Sequence, residues 1–243
     1  MSSDRQGISA EAVPGSRPVN ECCKKLHGMG CSECDKMITM PHLSSGGHVF
    51  HQVMISVVIP TEGVEQPVVA TLAALVPGAA AGIIRDVVLV DRSQTDTIER
   101  VADVAGCNFL KFDGSRAAAL AAGAQQSRSP WLLFLLPGAV LDSGWIDETS
   151  QFIQNVSLSG RQRAGIFRYA RPPYEDATVR DGVKSLARFI SGPSTDQGLL
   201  ISRDHYERVG GYAPAARRAE AKLISKLGRA GRAVLRTRLF VAA

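Results

Sequence analysis

The chain has 243 residues, of which 45% are hydrophobic and 21% are charged, and its formal net charge is +5. These values are typical of a soluble globular protein that holds one large domain with an appendage. Even the apolar run at residues 131–136 stops at Pro137-Gly138, short of the roughly 18 apolar residues of a bilayer span. The first thirty residues have no apolar segment after a basic start, so we expect a cytoplasmic protein without a secretory signal.

Residues 1–53 differ in composition from the rest of the chain. They are rich in Ser, Gly, His, Met and Cys, and they show no sustained apolar period. We therefore predict a flexible N-terminal extension over residues 1–53. The folded domain is predicted to span residues 54–243, because Met54 stands directly before the first predicted strand.

A group of thiols and imidazoles lies inside this extension, with His42, His48 and His51 after the cysteines. Cys31 and Cys34 have the C-x-x-C spacing of a zinc knuckle. The second pair, Cys22 and Cys23, is vicinal, with His27 following it, and vicinal thiols seldom both reach one tetrahedral ion. Metal binding, redox reactivity and the absence of any role all stay open for this group.

Predicted strands and helices alternate from Met54 onward. Residues 55–59 form a continuous β-branched run, and residues 64–76 carry apolar residues at helical spacing until Pro77-Gly78 end the predicted helix. The order predicts right-handed crossovers and an open, mostly parallel sheet with helices on both faces, an α/β fold. The remaining predicted elements are strands at 84–90, 108–112, 131–136, 164–169 and 198–202, and helices at 96–105, 115–126, 144–155, 183–190 and on either side of Gly210-Gly211.

Positive charge is concentrated near the C-terminus. Residues 217–238 hold eight basic residues and one acid, so this basic segment carries +7 and the rest of the chain −2. Such a segment suits diphosphates, lipid phosphates or a membrane surface, and a solvated helix face is the alternative. Nucleic acid is not expected, because the segment has almost no aromatic side chain on which bases could stack.

Two segments resemble motifs of the family 2 glycosyltransferases, which belong to the nucleotide-diphospho-sugar transferase superfamily. SVVIPT at residues 56–61 resembles the family's opening strand, and VDRSQTD at residues 90–96 is similar to its V-D-x-x-S-x-D turn. The resemblance covers roughly residues 54–235. It implies an α/β fold of the glycosyltransferase A type that binds a nucleotide-diphospho-sugar.

The resemblance implies a nucleotide site at the ends of the first two strands. Asp91 would contact the base or the ribose, and Asp96 would lie near it, since a carboxylate there can accept hydrogen bonds from both groups. For Asp96, a helix N-cap is the alternative. Glu62 follows the first strand, where family members often place an acid or a polar residue against the nucleotide; a solvated loop acid is its alternative.

Further motif matches imply the diphosphate and acceptor sides. Arg116, in GSR at residues 114–116, could pair with a phosphate at a helix N-terminus. Asp196, in a segment similar to the family's G-D-Q-x-x-F, would line the acceptor side, as would Gln197. Glu220 stands where the family has the acid pair that supplies its general base, and a surface ion pair is the alternative.

The chain departs from the family at the metal-binding motif. Residues 137–139 read Pro-Gly-Ala, where the family has a D-x-D type segment whose carboxylate binds a divalent metal. The nearest acid, Asp142, would need a different loop path to reach the same point. The motif is degenerate, so the sequence predicts no metal ligand and no certain Mn²⁺ or Mg²⁺ cofactor. Arginines could neutralise the leaving diphosphate instead.

Three functions remain after these observations. The first is transfer of a sugar from a nucleotide-diphospho-sugar to a hydroxyl of a glycan or lipid-phosphate acceptor, with peripheral contact to the inner face of the membrane through the basic segment. The alternative is a catalytically inactive binding protein that has lost its metal-binding acid. A nucleotidyltransferase, which shares such a fold and also needs a metal carboxylate, is the third.

Overall fold

The computed structural model describes residues 53–170, 198–216 and 218–241. The predicted extension with its thiols, the predicted helix at 183–190 and the predicted acceptor residues Asp196 and Gln197 lie outside these ranges. The strands are β1 (Ile55–Thr61), β2 (Ile84–Asp91), β3 (Asn108–Lys111), β4 (Trp131–Phe134), β5 (Ala139–Leu141), β6 (Ala164–Tyr169), β7 (Leu199–Ser202) and β8 (Arg232–Val241). The helices are α1 (Glu65–Ala80), α2 (Thr97–Ala105), α3 (Arg116–Gln126), α4 (Trp145–Ser159), α5 (Arg203–Arg208) and α6 (Ala219–Leu227).

The eight strands form one sheet in the order β3-β2-β1-β4-β7-β6-β8-β5. The first four are parallel to one another, as the alternation of strands and helices predicts. In the second half, β7 is antiparallel to both neighbours, β8 runs parallel to β6, and β5 is antiparallel to β8. The predicted α/β fold with an open, mostly parallel sheet is confirmed, and its parallel half carries the predicted nucleotide motifs.

Helices cover both faces of the sheet, as expected. All seven residues of β1 are buried, and its side chains alternate between two apolar clusters. One cluster joins the sheet to α1, α2 and α4, and the other joins it to α3 and α6. None of the helices in the described ranges is long and apolar enough to cross a bilayer.

The predicted end of the first helix at Pro77-Gly78 is wrong. Helix α1 continues through Pro77 to Ala80, although proline removes one hydrogen bond of the helix. Gly78 explains the extension, because a Cβ there would lie 2.4 Å from the Trp145 ring. The last turn therefore packs closely against α4, and this tertiary contact outweighs the local signal of the Pro-Gly pair.

The interpretation of the basic segment as one helix face is also wrong. Its described part forms α6 and then, after Gly228, strand β8. Leu235, Thr237 and Leu239 are buried in β8, whereas the arginines at 236 and 238 are exposed. This alternation has the period of two residues expected of a half-buried strand, so the sequence contained the signal.

Strand β8 contains an irregularity that α4 stabilises. Ile166 of β6 pairs with Val234, but Arg168 pairs with Arg238, so β8 has two more residues than β6 between these pairs. The Glu148 carboxylate accepts hydrogen bonds from the two backbone N–H groups at 236 and 237, at 2.5 and 2.6 Å, and from the Thr237 hydroxyl. Glu148 thereby satisfies donors that the irregular ladder leaves free.

We predict that Glu148→Gln destabilises the fold by about 1–2 kcal/mol at pH 7, because a neutral amide forms weaker hydrogen bonds to these donors. Burial acts to raise the pKa of Glu148, but the bonds from Thr237 and the two backbone groups and the Arg236 charge lower it overall. A lowered folded-state pKa contributes stability that is present above the unfolded pKa and lost as pH falls through the folded value.

Urea unfolding of the wild type and the variant between pH 7 and pH 3 measures this effect. The difference in unfolding free energy is expected to shrink toward low pH. Asp147→Asn is the matched control, since Asp147 is exposed on the same helical turn. Equal pH dependence of all three proteins would contradict the role of Glu148.

Candidate functional site

The predicted nucleotide motifs lie together at the carboxyl ends of β1, β2 and β3. Thr61 and Asp91 are paired at the ends of β1 and β2, and Asp91 also pairs with Lys111 at the end of β3. Open parallel sheets bind ligands at this edge, where loops leave the strands. The edge is formed by the loop after β1 (residues 62–64), the loop after β2 (92–96) and the loop after β3 (112–115).

Asp91 is a fully buried carboxylate that joins two of these loops. Its Oδ1 accepts hydrogen bonds from Thr61 Oγ1 at 2.9 Å and from the Gly63 N–H at 3.1 Å. Its Oδ2 accepts one from Ser93 Oγ at 2.6 Å. Both oxygens therefore bind donors of the chain itself, and Asp91 fixes the loop after β1 against the loop after β2.

Gly63 allows the loops to approach this closely. Its φ is +81°, in the left-handed region, and a Cβ there would lie 2.7 Å from the Ser93 Cβ. A side chain at position 63 would push Ser93 away from the Asp91 carboxylate. The small residue is therefore needed for space and for backbone conformation at once.

A second contact joins all three loops. Arg92 forms an ion pair with Glu62, Nη1 to Oε1 at 2.8 Å, and its Nε donates to the Gly114 carbonyl at 3.0 Å. Glu62 is thus not the solvated lone acid that the sequence left as the alternative. Its side chain remains 67% exposed, so a ligand at this edge can still reach the carboxylate.

Asp96 lies at the N-cap position of α2, but its side chain accepts no hydrogen bond from that helix. Asp96 is therefore the N-cap residue by position, as the alternative had it, but without a side-chain capping bond. The side chain is 82% exposed and lies 3.9 Å from the Lys111 ammonium, whose only hydrogen bond in the described part goes to the Thr95 carbonyl. The carboxylate points to solvent at the same edge as Glu62.

The structure brings Arg116 and Glu220 together, although neither motif predicted their contact. Arg116 is the first residue of α3, after the Ser115 cap, and Glu220 lies in the first turn of α6. Arg116 Nε lies 2.9 Å from Glu220 Oε1, but the N–H is not aligned on the oxygen, so the contact is an ion pair without a hydrogen bond. Glu220 does form an ion pair, and its partner is the arginine predicted for the diphosphate.

This pair forms one wall of a small cavity that also contacts Phe134, Gly198 and Tyr212. The cavity has a volume of about 20 Å³, which suits a single water molecule. Burial raises the pKa of Tyr212 well above its ordinary value, Glu220 and Tyr206 raise it further, and Arg116 lowers it. The Tyr212 phenol is therefore neutral at physiological pH.

The segment in place of the family's metal-binding motif is turned against α1. The Gly138 N–H donates to the Pro67 carbonyl at 2.8 Å, and Gly138 adopts φ of +86°. Asp142, the nearest acid, forms an ion pair with Arg238, Oδ2 to Nη2 at 3.0 Å. In the described ranges no three His, Cys, Asp or Glu side chains lie close enough to hold a metal ion.

Sequence reasoning missed three residues at this edge. Arg92 occupied a variable position of the motif. Its location between acids at 91 and 96 was the signal that it could form an ion pair at this edge. Ser93 was part of the quoted turn but received no role. Tyr212, directly after Gly210-Gly211, received no role; its backbone N–H donates to the Tyr206 hydroxyl oxygen at 3.1 Å.

No protein-family model and no curated protein sequence matches the chain. Solved structures do resemble it. One is Staphylococcus aureus TarS, residues 1–349, with a TM-score of 0.56 and 13% identity over 78% of this chain and 60% of that one. Another is the mannosyltransferase PcManGT from Pyrobaculum calidifontis in complex with GDP-Man and Mn²⁺, with a TM-score of 0.56 and 14% identity over 86% of this chain and 62% of that one.

These similarities establish the fold class. The chain has the mixed α/β fold of these two structures, of the glycosyltransferase A type. It spans about three fifths of the length of each of the two structures that it resembles. At this identity the likeness concerns the fold, so the chemistry must be argued from the residues at the edge of the sheet.

Proposed function

We propose that the protein is a family 2-like glycosyltransferase, which transfers a sugar from a nucleotide-diphospho-sugar to a hydroxyl of a glycan or lipid-phosphate acceptor. The observation that carries this proposal is the pairing of Arg116 with Glu220 at the edge that Asp91 organises. A cation for the leaving diphosphate and a carboxylate for the acceptor proton therefore lie within one contact of each other. The glycosyltransferase A-type fold supports the same assignment.

The nucleotide part of the site divides into two roles. Asp91 is a positioning residue, since it is buried and holds the loops after β1 and β2 through Gly63 and Ser93. Glu62 and Asp96 are the exposed acids of those loops, and they accept hydrogen bonds from the base or ribose. This division assigns the ligand contacts to the carboxylates that solvent can reach.

In the transfer step Glu220 accepts a proton and Arg116 neutralises negative charge. The acceptor oxygen forms a bond to the anomeric carbon while the bond from that carbon to the diphosphate oxygen breaks. The acceptor proton passes to Glu220, or to Asp196 on the acceptor side, and the nucleoside diphosphate leaves with the bonding electron pair. Arg116 neutralises the negative charge of the leaving group.

Donor binding and base activation are linked in this proposal. Arg116 and Glu220 form an ion pair in the structure, with side chains 37% and 20% exposed. A diphosphate that binds Arg116 competes with Glu220 for the guanidinium. The carboxylate released from the pair is then free to accept the proton of the acceptor hydroxyl.

A divalent metal does not fit the residues of this edge. The Pro-Gly-Ala segment has no oxygen-bearing side chain, and the carboxylate of Asp142 is held by Arg238. The Mn²⁺ in the PcManGT structure belongs to that protein. In this proposal Arg116, and not a metal ion, neutralises the charge of the leaving diphosphate.

The alternative function is a binding protein without turnover. The cavity of about 20 Å³ beside Arg116 supports it, because this cavity is too small for a sugar. A nucleotidyltransferase is supported less, since that chemistry also needs a metal carboxylate. The proposed peripheral membrane contact of the basic segment is compatible with the transferase and with the binding protein.

Release of free nucleotide separates these functions. The full chain is incubated with UDP-sugars and GDP-sugars, with and without Mn²⁺, together with glycan and lipid-phosphate acceptors. We expect release of UDP or GDP that depends on the acceptor. Binding of the nucleotide-sugar without any release would favour the binding protein.

A further inference from the structure

Two arginine-bearing turns lie side by side at the amino ends of β6 and β8. One reads GRQR at residues 160–163, and the other reads GRAGR at residues 228–232. The Ala164 N–H donates to the Gly231 carbonyl at 2.8 Å, and Arg163 Nε donates to the Ala230 carbonyl at 3.3 Å. The ladder between β6 and β8 therefore fixes the two turns against each other.

The turns form an open pocket of about 500 Å³. Arg161, Gln162 and Arg163 line it from the first turn, and the backbone of residues 230 and 231 lines it from the second. Arg229 and Arg232 flank the same backbone. Four arginines thus belong to two adjoining turns. We call the cavity together with Arg161, Arg163, Arg229 and Arg232 the arginine pocket.

The positive charge of the arginine pocket is not balanced by acids. The sequence has no Asp or Glu at residues 149–174 or 221–241. Within the part of the chain that the structure describes, none of the four arginines forms an ion pair with a carboxylate. Four cationic side chains on two adjoining turns, without an acid beside them in the described residues, favour the binding of an anion.

The pocket also contains an unsatisfied polar group. Gln162 Oε1 is buried and has no hydrogen-bond partner among the described residues. Guanidinium groups donate paired N–H bonds that match the oxygens of a phosphate group.

We propose that the arginine pocket binds phosphate groups of a phosphomonoester or phosphodiester ligand. The site is separate from the proposed donor site. Strand β6 runs parallel to β4, because β7 is antiparallel to both, and β8 runs parallel to β6. The amino ends of β6 and β8 therefore lie at the opposite edge of the sheet from Asp91, separated from it along the strand direction alone by about 20 Å, the length of a six-residue strand.

This separation decides which phosphate the pocket binds. The diphosphate of a nucleotide-sugar at the Asp91 edge cannot reach the opposite edge of the sheet. The arginine pocket therefore takes a second phosphate-bearing ligand, and its occupancy does not require glycosyl transfer. The inference goes beyond the proposed function and can fail or succeed independently of it.

The test compares the wild type with two variants of the full chain, and the folding of each protein is checked first. The pocket variant is R161Q/R163Q/R229Q/R232Q, and the control variant is R85Q/R100Q/R128Q/K222Q, which removes the same charge from exposed positions elsewhere. Circular dichroism and urea unfolding check that each is folded. If the pocket variant does not fold, the pairs R161Q/R163Q and R229Q/R232Q replace it.

Two probes distinguish the source of the phosphate. One is inorganic tripolyphosphate, measured by titration calorimetry. The other is phosphatidylcholine vesicles with about 30% phosphatidylglycerol, measured by co-sedimentation, and such anionic surfaces attract basic side chains by about 1 kcal/mol each. Pure phosphatidylcholine vesicles are the blank.

We expect the wild type to bind at least one probe, and the pocket variant to bind it about a hundredfold more weakly, because four charge-assisted contacts are lost. Binding of vesicles alone assigns the phosphate to lipid headgroups, and binding of tripolyphosphate assigns it to soluble phosphate. No binding of either probe, or equal weakening in the control variant, would overturn the proposal.

Discussion

Replacing Asp91 by Ala is expected to abolish measurable nucleotide-sugar binding and to lower the unfolding free energy by roughly 3–5 kcal/mol, the cost of removing one partner of a buried charged network. The carboxylate is fully buried, and it accepts from Thr61, Gly63 and Ser93. Without it, three donors lose their partner and the two loops that carry Glu62 and Asp96 separate. Titration calorimetry and urea unfolding measure the two effects.

Asp91→Asn keeps the test informative if the alanine variant does not fold. The amide retains one acceptor oxygen, so Gly63 and Thr61 can remain bonded while Ser93 must reorient. We expect a folded protein whose nucleotide affinity is at least tenfold weaker, or about 1.4 kcal/mol. Asp103→Ala is the control, since Asp103 is exposed on α2. A wild-type affinity in both Asp91 variants would refute the positioning role.

Changes to Arg116 and Glu220 are expected to affect different steps. Glu220→Gln should lower kcat by about 10²–10⁴, the usual contribution of a general base. Donor affinity should stay the same or increase, because Arg116 is no longer held by a carboxylate. Arg116→Gln should weaken donor binding instead. Steady-state kinetics and donor titration separate the two effects.

A surface ion pair without a catalytic role gives a different result. Its removal would change the unfolding free energy by at most about 1 kcal/mol, given the partial exposure of both side chains, and would leave kcat unchanged. Glu207→Gln is the control for the loss of one acid, since Glu207 is exposed on α5. A Glu220→Gln enzyme with wild-type kcat would assign the base to another residue, with Asp196 as the next candidate.

The parallel half of the fold was predictable because its signals are local. Strand β1 is a β-branched run that is buried on both faces, β4 is a short apolar run that is also fully buried, and β2 is buried over its last four residues. The end of α1 was not predictable from Pro77-Gly78, since it depends on the Trp145 ring from a distant helix. Strand β8 was predictable in principle from its alternation, but its dense arginines suggested a helix face instead.

The candidate site was predictable only as a set of residues. The motifs selected Asp91, Asp96 and Glu62, and the sheet edge explains why these three lie near one another. Their contacts were not predictable, because Arg92 and Ser93 bond across loops that no local pattern relates. The pairing of Arg116 with Glu220 likewise depends on how α3 and α6 pack on one face of the sheet.

The central claim is that the edge organised by Asp91 binds a nucleotide-sugar without a metal. Titration of the full chain with UDP-sugars and GDP-sugars in the presence of EDTA tests it most directly. We predict binding of at least one of these donors in EDTA, with little change when EDTA is replaced by Mn²⁺. Failure of every donor to bind in either condition would contradict the nucleotide site, and binding that appears only with Mn²⁺ would contradict the role of Arg116.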